Sequence, residues 1–221
     1  MKIYLHRTFG VPSLLLTVLC LGASLPARAG EAQITFRKVF EGSTPEFAEI
    51  RIGEASGATF DIRQLSEDPD PKPFGVGPAV RAKIFELADA LHDFNGVQLD
   101  VRKRIANLGR KTFRYERDGE AHEVTFNYTI DPAAEQLSQI FEGLTRQQWD
   151  LVFLQRQMRF DRLGVNDALL QFETDLKGRI LPEPERFLPT LDQLANDPHF
   201  LDIARERARA LAARIRSSMN Q

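Results

Sequence analysis

The sequence predicts an α+β fold: an antiparallel sheet of about five strands with one inserted helix, followed by a helical C-terminal half packed on the sheet. Apolar residues recur at period two through the first half of the chain, an Asp118-Gly119 pair sits between two strand-like runs, and after Tyr128 the period becomes helical and stays so.

Residues 1–29 read as an export signal to be removed before folding. Lys2 and Arg7 form a positive n-region, Leu14 to Leu25 an apolar core, and Ala27-Arg28-Ala29 a small-x-small cleavage site before Gly30. The apolar run falls short of the roughly 20 residues of a membrane helix, and Pro12 and Pro26 bracket it. Cys20, the sole cysteine, is expected to leave with the signal; Leu19 stands where a lipid-attachment site would carry a small residue. Cleavage leaves 192 of the 221 residues and, by removing Lys2, Arg7 and Arg28 but no acid, takes the formal charge from −2 to −5. A cysteine-free exported chain must rely on a packed core, for which 16 Phe are available. The acidic balance argues against nucleic acid as a partner. Arginine outnumbers lysine 22 to 7, as a GC-rich bacterial genome would give, so the expected location is the periplasm or beyond.

Within residues 30–130, the β-rich half, Ile34 and Phe36, then Ala48, Ile50 and Ile52, then Phe60 and Ile62 alternate as strands, with Ser43-Thr44-Pro45 and Gly53 to Gly57 as turns. The run Glu67-Asp68-Pro69-Asp70-Pro71-Lys72-Pro73 is expected to be an exposed loop. From Val80 to Phe94 a helix buries Val80, Ile84, Leu87, Ala88 and Leu91, and Gly96 stops it. Asp118-Gly119 is a two-residue hairpin turn. Pairing Arg117 with Glu120 then sets Arg114 against Glu123 and Thr112 against Thr125 on a polar face, and Phe113 against Val124 and Tyr115 against His122 on an apolar one.

Residues 131–221 form the helical half, expected to make one compact unit with the first. Asp131-Pro132 caps a helix carrying Leu137, Ile140, Phe141 and Leu144. Thr145 and Gln148 have the spacing of a capping box for a further helix with Trp149, Val152, Phe153, Arg156 and Phe160 along one stripe. Gly164 ends that helix, Asn166 caps another to Lys177, and Phe187, Leu188, Leu191 and Leu194 form a short one among Pro182, Pro184 and Pro189. Asp197-Pro198 opens the last, which buries Phe200, Ala204, Ala208, Leu211 and Ile215.

Chemistry is sparse. His92, His122 and His199 fall in three separate elements and make no zinc spacing. Asp89 and Asp93 beside His92 read as a solvated helix face, and His122 as a packed edge residue. Glu67, Asp68 and Asp70 do not fit a helix-loop-helix calcium site, where Pro73 and Ala79 would replace the required glycine and glutamate. The sequence carries no Gly-x-Ser-x-Gly elbow, phosphate loop or dinucleotide fingerprint, and no cofactor is expected. Asn127-Tyr128-Thr129 matches a glycan acceptor, read as coincidence on a strand.

Two surfaces are candidates for binding. One is the polar hairpin face, with Arg114, Glu123 and Asn127, suited to a polar ligand; the other is the stripe of Arg205, Arg209 and Arg216 on the final helix, suited to anionic lipid or an acidic partner. The leading expectation is an exported soluble protein that binds an envelope protein or a polar ligand. The alternatives are a cofactor-free envelope hydrolase using acids with His92 or His122, and a peripheral membrane protein attached through the final helix.

Overall fold

A computed structural model describes residues 30–101 and 105–220. The sequence-predicted export signal lies outside the described residues.

The fold is α+β, built on a six-stranded antiparallel sheet of order β4-β3-β2-β1-β5-β6. Strands β1 (Gln33–Val39), β2 (Phe47–Gly53) and β3 (Ala58–Arg63) form a meander, extended by the short β4 (Lys72–Phe74). Helix α1 (Pro78–Ala90) then crosses the sheet, so that the hairpin of β5 (Arg110–Arg117) and β6 (Glu120–Phe126) joins the other side of β1. The hairpin register is the predicted one, from Arg117 opposite Glu120 to Thr112 opposite Thr125. Asp118 and Gly119 take φ of 55° and 82°, the left-handed pair this turn requires.

Period-two alternation sends Ile34, Phe36, Ile50, Ile52 and Phe113 to one face, all completely buried. On the other face Glu49 accepts from both Arg37 and Arg51, Arg63 pairs with Asp61, and Arg114 with Glu116, so the open side of the sheet neutralises itself.

Helix α2 runs unbroken from Pro132 to Phe160, about 44 Å at 1.5 Å per residue. Asp131 caps it as expected, accepting from the Ala134 amide at 3.0 Å. Its first half packs on the sheet, where Phe141 stacks on Phe36 with ring centroids 5.1 Å apart. Its second half leaves the sheet and, through Leu154, joins a second core with α3 (Val165–Lys177), α4 (Leu188–Asn196) and α5 (Asp202–Met219). Phe172 and Phe187 stack there at 4.0 Å. Among the described residues no helix is long and apolar enough to cross a membrane.

Several expected boundaries are corrected. The proline-rich run contains β4, since an edge strand tolerates Pro73 opposite Thr59. Helix α1 ends at Ala90 rather than near Phe94, because His92, Asp93 and Phe94 adopt φ of 54°, 50° and 65°, a left-handed turn that sends Phe94 into the core at 1 % exposure. Thr145 caps nothing: its hydroxyl donates back to the Phe141 carbonyl at 2.8 Å, which lets α2 continue. The stripe begun by Trp149 faces outward, with Phe153 36 % and Phe160 74 % exposed. At the start of α3 it is Asp161 that accepts from the Gly164 amide, while Asn166 accepts from Arg207. Asp197-Pro198 precedes α5 as a turn in which Asp197 accepts from the His199 amide, but the predicted buried face of α5 is observed.

Candidate functional site

Where β1 ends and β2 begins, beside the middle of α2, the sheet's apolar side opens into a cleft of about 250 Å³. Phe36 forms its floor, and Phe40, Pro45 and Trp149 contribute to its walls. Strand alternation puts Lys38 on the same side of β1 as Phe36, and Trp149, one turn past Thr145 on α2, lines the cleft opposite.

Four charged side chains line the cleft: Lys38 on β1, Glu46 just before β2, and Glu142 and Arg146 on α2. Lys38 on β1 and Lys111 on β5 face each other in the ladder, and both reach Oε1 of Glu142 on α2, at 2.8 and 3.3 Å. Burial works against the Glu142 carboxylate, but the hydrogen bond and charge of Lys38, then those of Lys111, outweigh it and hold the group below its ordinary range. One turn along α2, Arg146 also lines the cleft, while its Nε donates to Asp175 of α3 at 2.6 Å and lies 3.3 Å from Asp150. With Nε held by Asp175, the guanidinium of Arg146 is anchored at the border of the cleft.

Behind Arg146 is a pair of carboxyl groups. Asp150 is 3 % exposed and Asp175 5 %. Burial, then the hydrogen bond to Asp175, push the Asp150 carboxyl up to about 8 against the pull of Arg146. Burial also opposes ionisation of Asp175, but hydrogen bonds from Asp150, Arg146 and Gln171 prevail and lower its pKa. With the Asp150 carboxyl raised and that of Asp175 lowered, the charge on Asp175 is the one that holds Arg146 in place. A cleft with an apolar floor, a few convergent polar groups and a shifted carboxyl beside it is the usual physical form of a small-ligand site.

No protein-family model and no curated protein matches this chain. The cleft must therefore be read from its own geometry.

The sequence-predicted site residues lie elsewhere. Arg114 pairs with Glu116 at 2.8 Å and Glu123 at 3.6 Å on the open sheet face. Asn127 has a bracing role: it accepts from the Leu108 amide and donates to the Ala106 carbonyl. On α5, Arg205 bonds Asp202, Arg209 the Ala195 carbonyl and Arg216 Asp192, so each of the three is engaged within the fold. His122 is opposite Tyr115, at the level of Ile34 on β1, four residues from Lys38 and therefore roughly 13 Å along the strand. His92 is exposed in the left-handed turn, and His199 pairs with Asp197 beyond α4. Among the described residues no histidine lines the cleft, and no three metal-ligating side chains converge.

Proposed function

We propose that this protein is an exported binding protein whose cleft takes a small molecule with an apolar body and one anionic end. The anchored guanidinium of Arg146 carries the assignment. Asp175 holds the guanidinium through Nε, and Arg146 borders a cleft lined by Phe40, Pro45 and Trp149. A planar fork fixed in this way offers a carboxylate two parallel hydrogen bonds. Lys38 adds a second cation, and Lys111, 13 % exposed, keeps Glu142 occupied when Lys38 turns to the ligand. The apolar body lies on Phe40, Pro45 and Trp149. Hydrolysis gains no comparable support, because the histidines and the Asp150–Asp175 pair occupy different regions.

The export part rests on the n-region, apolar core and cleavage pattern of residues 1–29. A native mass spectrum of the protein purified from its producing cells tests both parts. The expected species begins at Gly30 and carries a small organic anion that a Lys38→Met variant releases. A chain retaining residues 1–29 would overturn export, and an adduct unaffected by Lys38→Met would overturn the cleft as its site.

A further inference from the structure

The two most exposed large apolar side chains among the described residues are Phe160, at 74 %, and Leu163, at 73 %. They are three residues apart, at the end of α2 and in the turn before α3, where the chain reverses between the two helices. Three arginines surround them: Arg156 and Arg159 in the last turns of α2, and Arg162 in the connection. None of the three makes a salt bridge with a described residue, and Arg159 lies 5.3 Å over the Phe160 ring. Of the nearby acids, Asp161 accepts from the Gly164 amide, Asp197, near Arg162, bonds His199, and Asp167 is exposed in the first turn of α3, so the three arginines outnumber the two acids, Asp161 and Asp167, flanking the apolar pair in sequence. This contrasts with α5, whose Arg205, Arg209 and Arg216 are bound to neighbouring oxygens.

We propose that this corner is a membrane-contact tip that inserts Phe160 and Leu163 into an anionic phospholipid surface while Arg156, Arg159 and Arg162 bind the headgroup phosphates. Charge and shape both favour a bilayer. Apolar side chains ringed by unpaired cations complement an acyl boundary beneath anionic headgroups. A projecting corner also wedges between lipids, whereas a protein partner seats such side chains in a pocket of its own. The acidic loop of Glu67, Asp68 and Asp70 lies by Trp149 and Val152, two to three turns back along α2 from Phe160. Its repulsion from anionic lipid keeps the contact at the tip. Arginine stems lying on the apolar surface bring the guanidinium groups to phosphate level.

Co-sedimentation of the protein from its producing cells with vesicles of phosphatidylcholine alone, or of phosphatidylcholine with phosphatidylglycerol, tests the proposal. Binding to the anionic vesicles is expected, with little to the neutral ones. Each arginine near such a surface contributes roughly a factor of five, so the Arg156→Glu, Arg159→Glu, Arg162→Glu variant should bind at least about tenfold more weakly. A Phe160→Ser, Leu163→Ser variant should lose binding with its charge unchanged, and Arg214→Glu on α5 should retain it. Circular dichroism confirms that each variant is folded. Equal binding to both vesicle types, or wild-type binding by both tip variants, would overturn the proposal. So would a tip that captures an acidic protein while vesicle binding stays unchanged.

Discussion

Arg146 on α2 donates its Nε to Asp175 on α3 at 2.6 Å, and the same nitrogen lies 3.3 Å from Asp150, one turn further along α2. One arginine thus joins the cleft, the second core and a buried carboxyl pair. That placement makes the cleft's cation answerable to the protonation state behind it.

The first expected consequence is a pH dependence of stability. An unfolded aspartate titrates near about 3.9, whereas folding pushes Asp150 up to about 8. Between roughly pH 4 and about 8 the folded chain holds the extra proton, so unfolding free energy falls as pH rises through that window. Asp175 acts in the opposite sense: its folded pKa is depressed, so its contribution is present above the unfolded pKa and lost as pH falls. Stability should therefore be greatest near the acid end of the window. Asp150→Asn keeps a donor for Asp175 and removes the titration. Urea unfolding of that variant should show a flatter profile and a gain on the order of 1–3 kcal/mol at pH 8. An unchanged slope would contradict the raised pKa of Asp150.

Glu142→Gln should destabilise the protein by about 1–3 kcal/mol at neutral pH, because it leaves two lysines facing one another with Lys111 only 13 % exposed. The carboxylate's contribution is present above its unfolded pKa and lost as pH falls through the depressed folded value. The deficit of the variant should accordingly shrink in acid. Denaturant midpoints at neutral and acidic pH measure both effects.

Gly143→Ala should also be destabilising, by about 1–3 kcal/mol, although alanine is the better helix former by about 1 kcal/mol. A Cβ at this position would lie 2.5 Å from the Ile180 carbonyl oxygen and 2.9 Å from Cδ of Pro182, so the segment after α3 would have to move off α2. Thermal unfolding of the variant checks this, and a raised midpoint would show that the segment yields freely.

What the sequence made legible followed from local rules. The hairpin register was readable because Asp118-Gly119 fixes both the turn type and the pairing of Phe113 with Val124. The buried faces of α1 and α5 followed from helical spacing. Local rules also misled. Thr145 has the residue type and spacing of a cap, yet its hydroxyl serves the Phe141 carbonyl in mid-helix. The outward stripe from Trp149 to Phe160 has the spacing of a core face, and only the position of the second core decides which side of α2 is buried. The cleft depends on long-range neighbours: Lys38 meets Glu142 across 104 residues and Arg146 meets Asp175 across 29. The one local clue was Glu142, Arg146 and Asp150 at four-residue spacing, which places three charges on one side of a helix.

The most direct test of the cleft uses Trp149, the only tryptophan of the chain and one of the cleft's walls. Decanoate, with decanol as its uncharged counterpart, is titrated against the protein while tryptophan emission is followed. Decanoate should give a saturable change, decanol a much weaker one, and Lys38→Met should weaken the decanoate response by about tenfold, the effect of losing one charge-assisted contact of roughly 1.4 kcal/mol. No saturable change with decanoate, or equal responses to both probes that Lys38→Met leaves intact, would contradict the assignment of this cleft to an apolar anion.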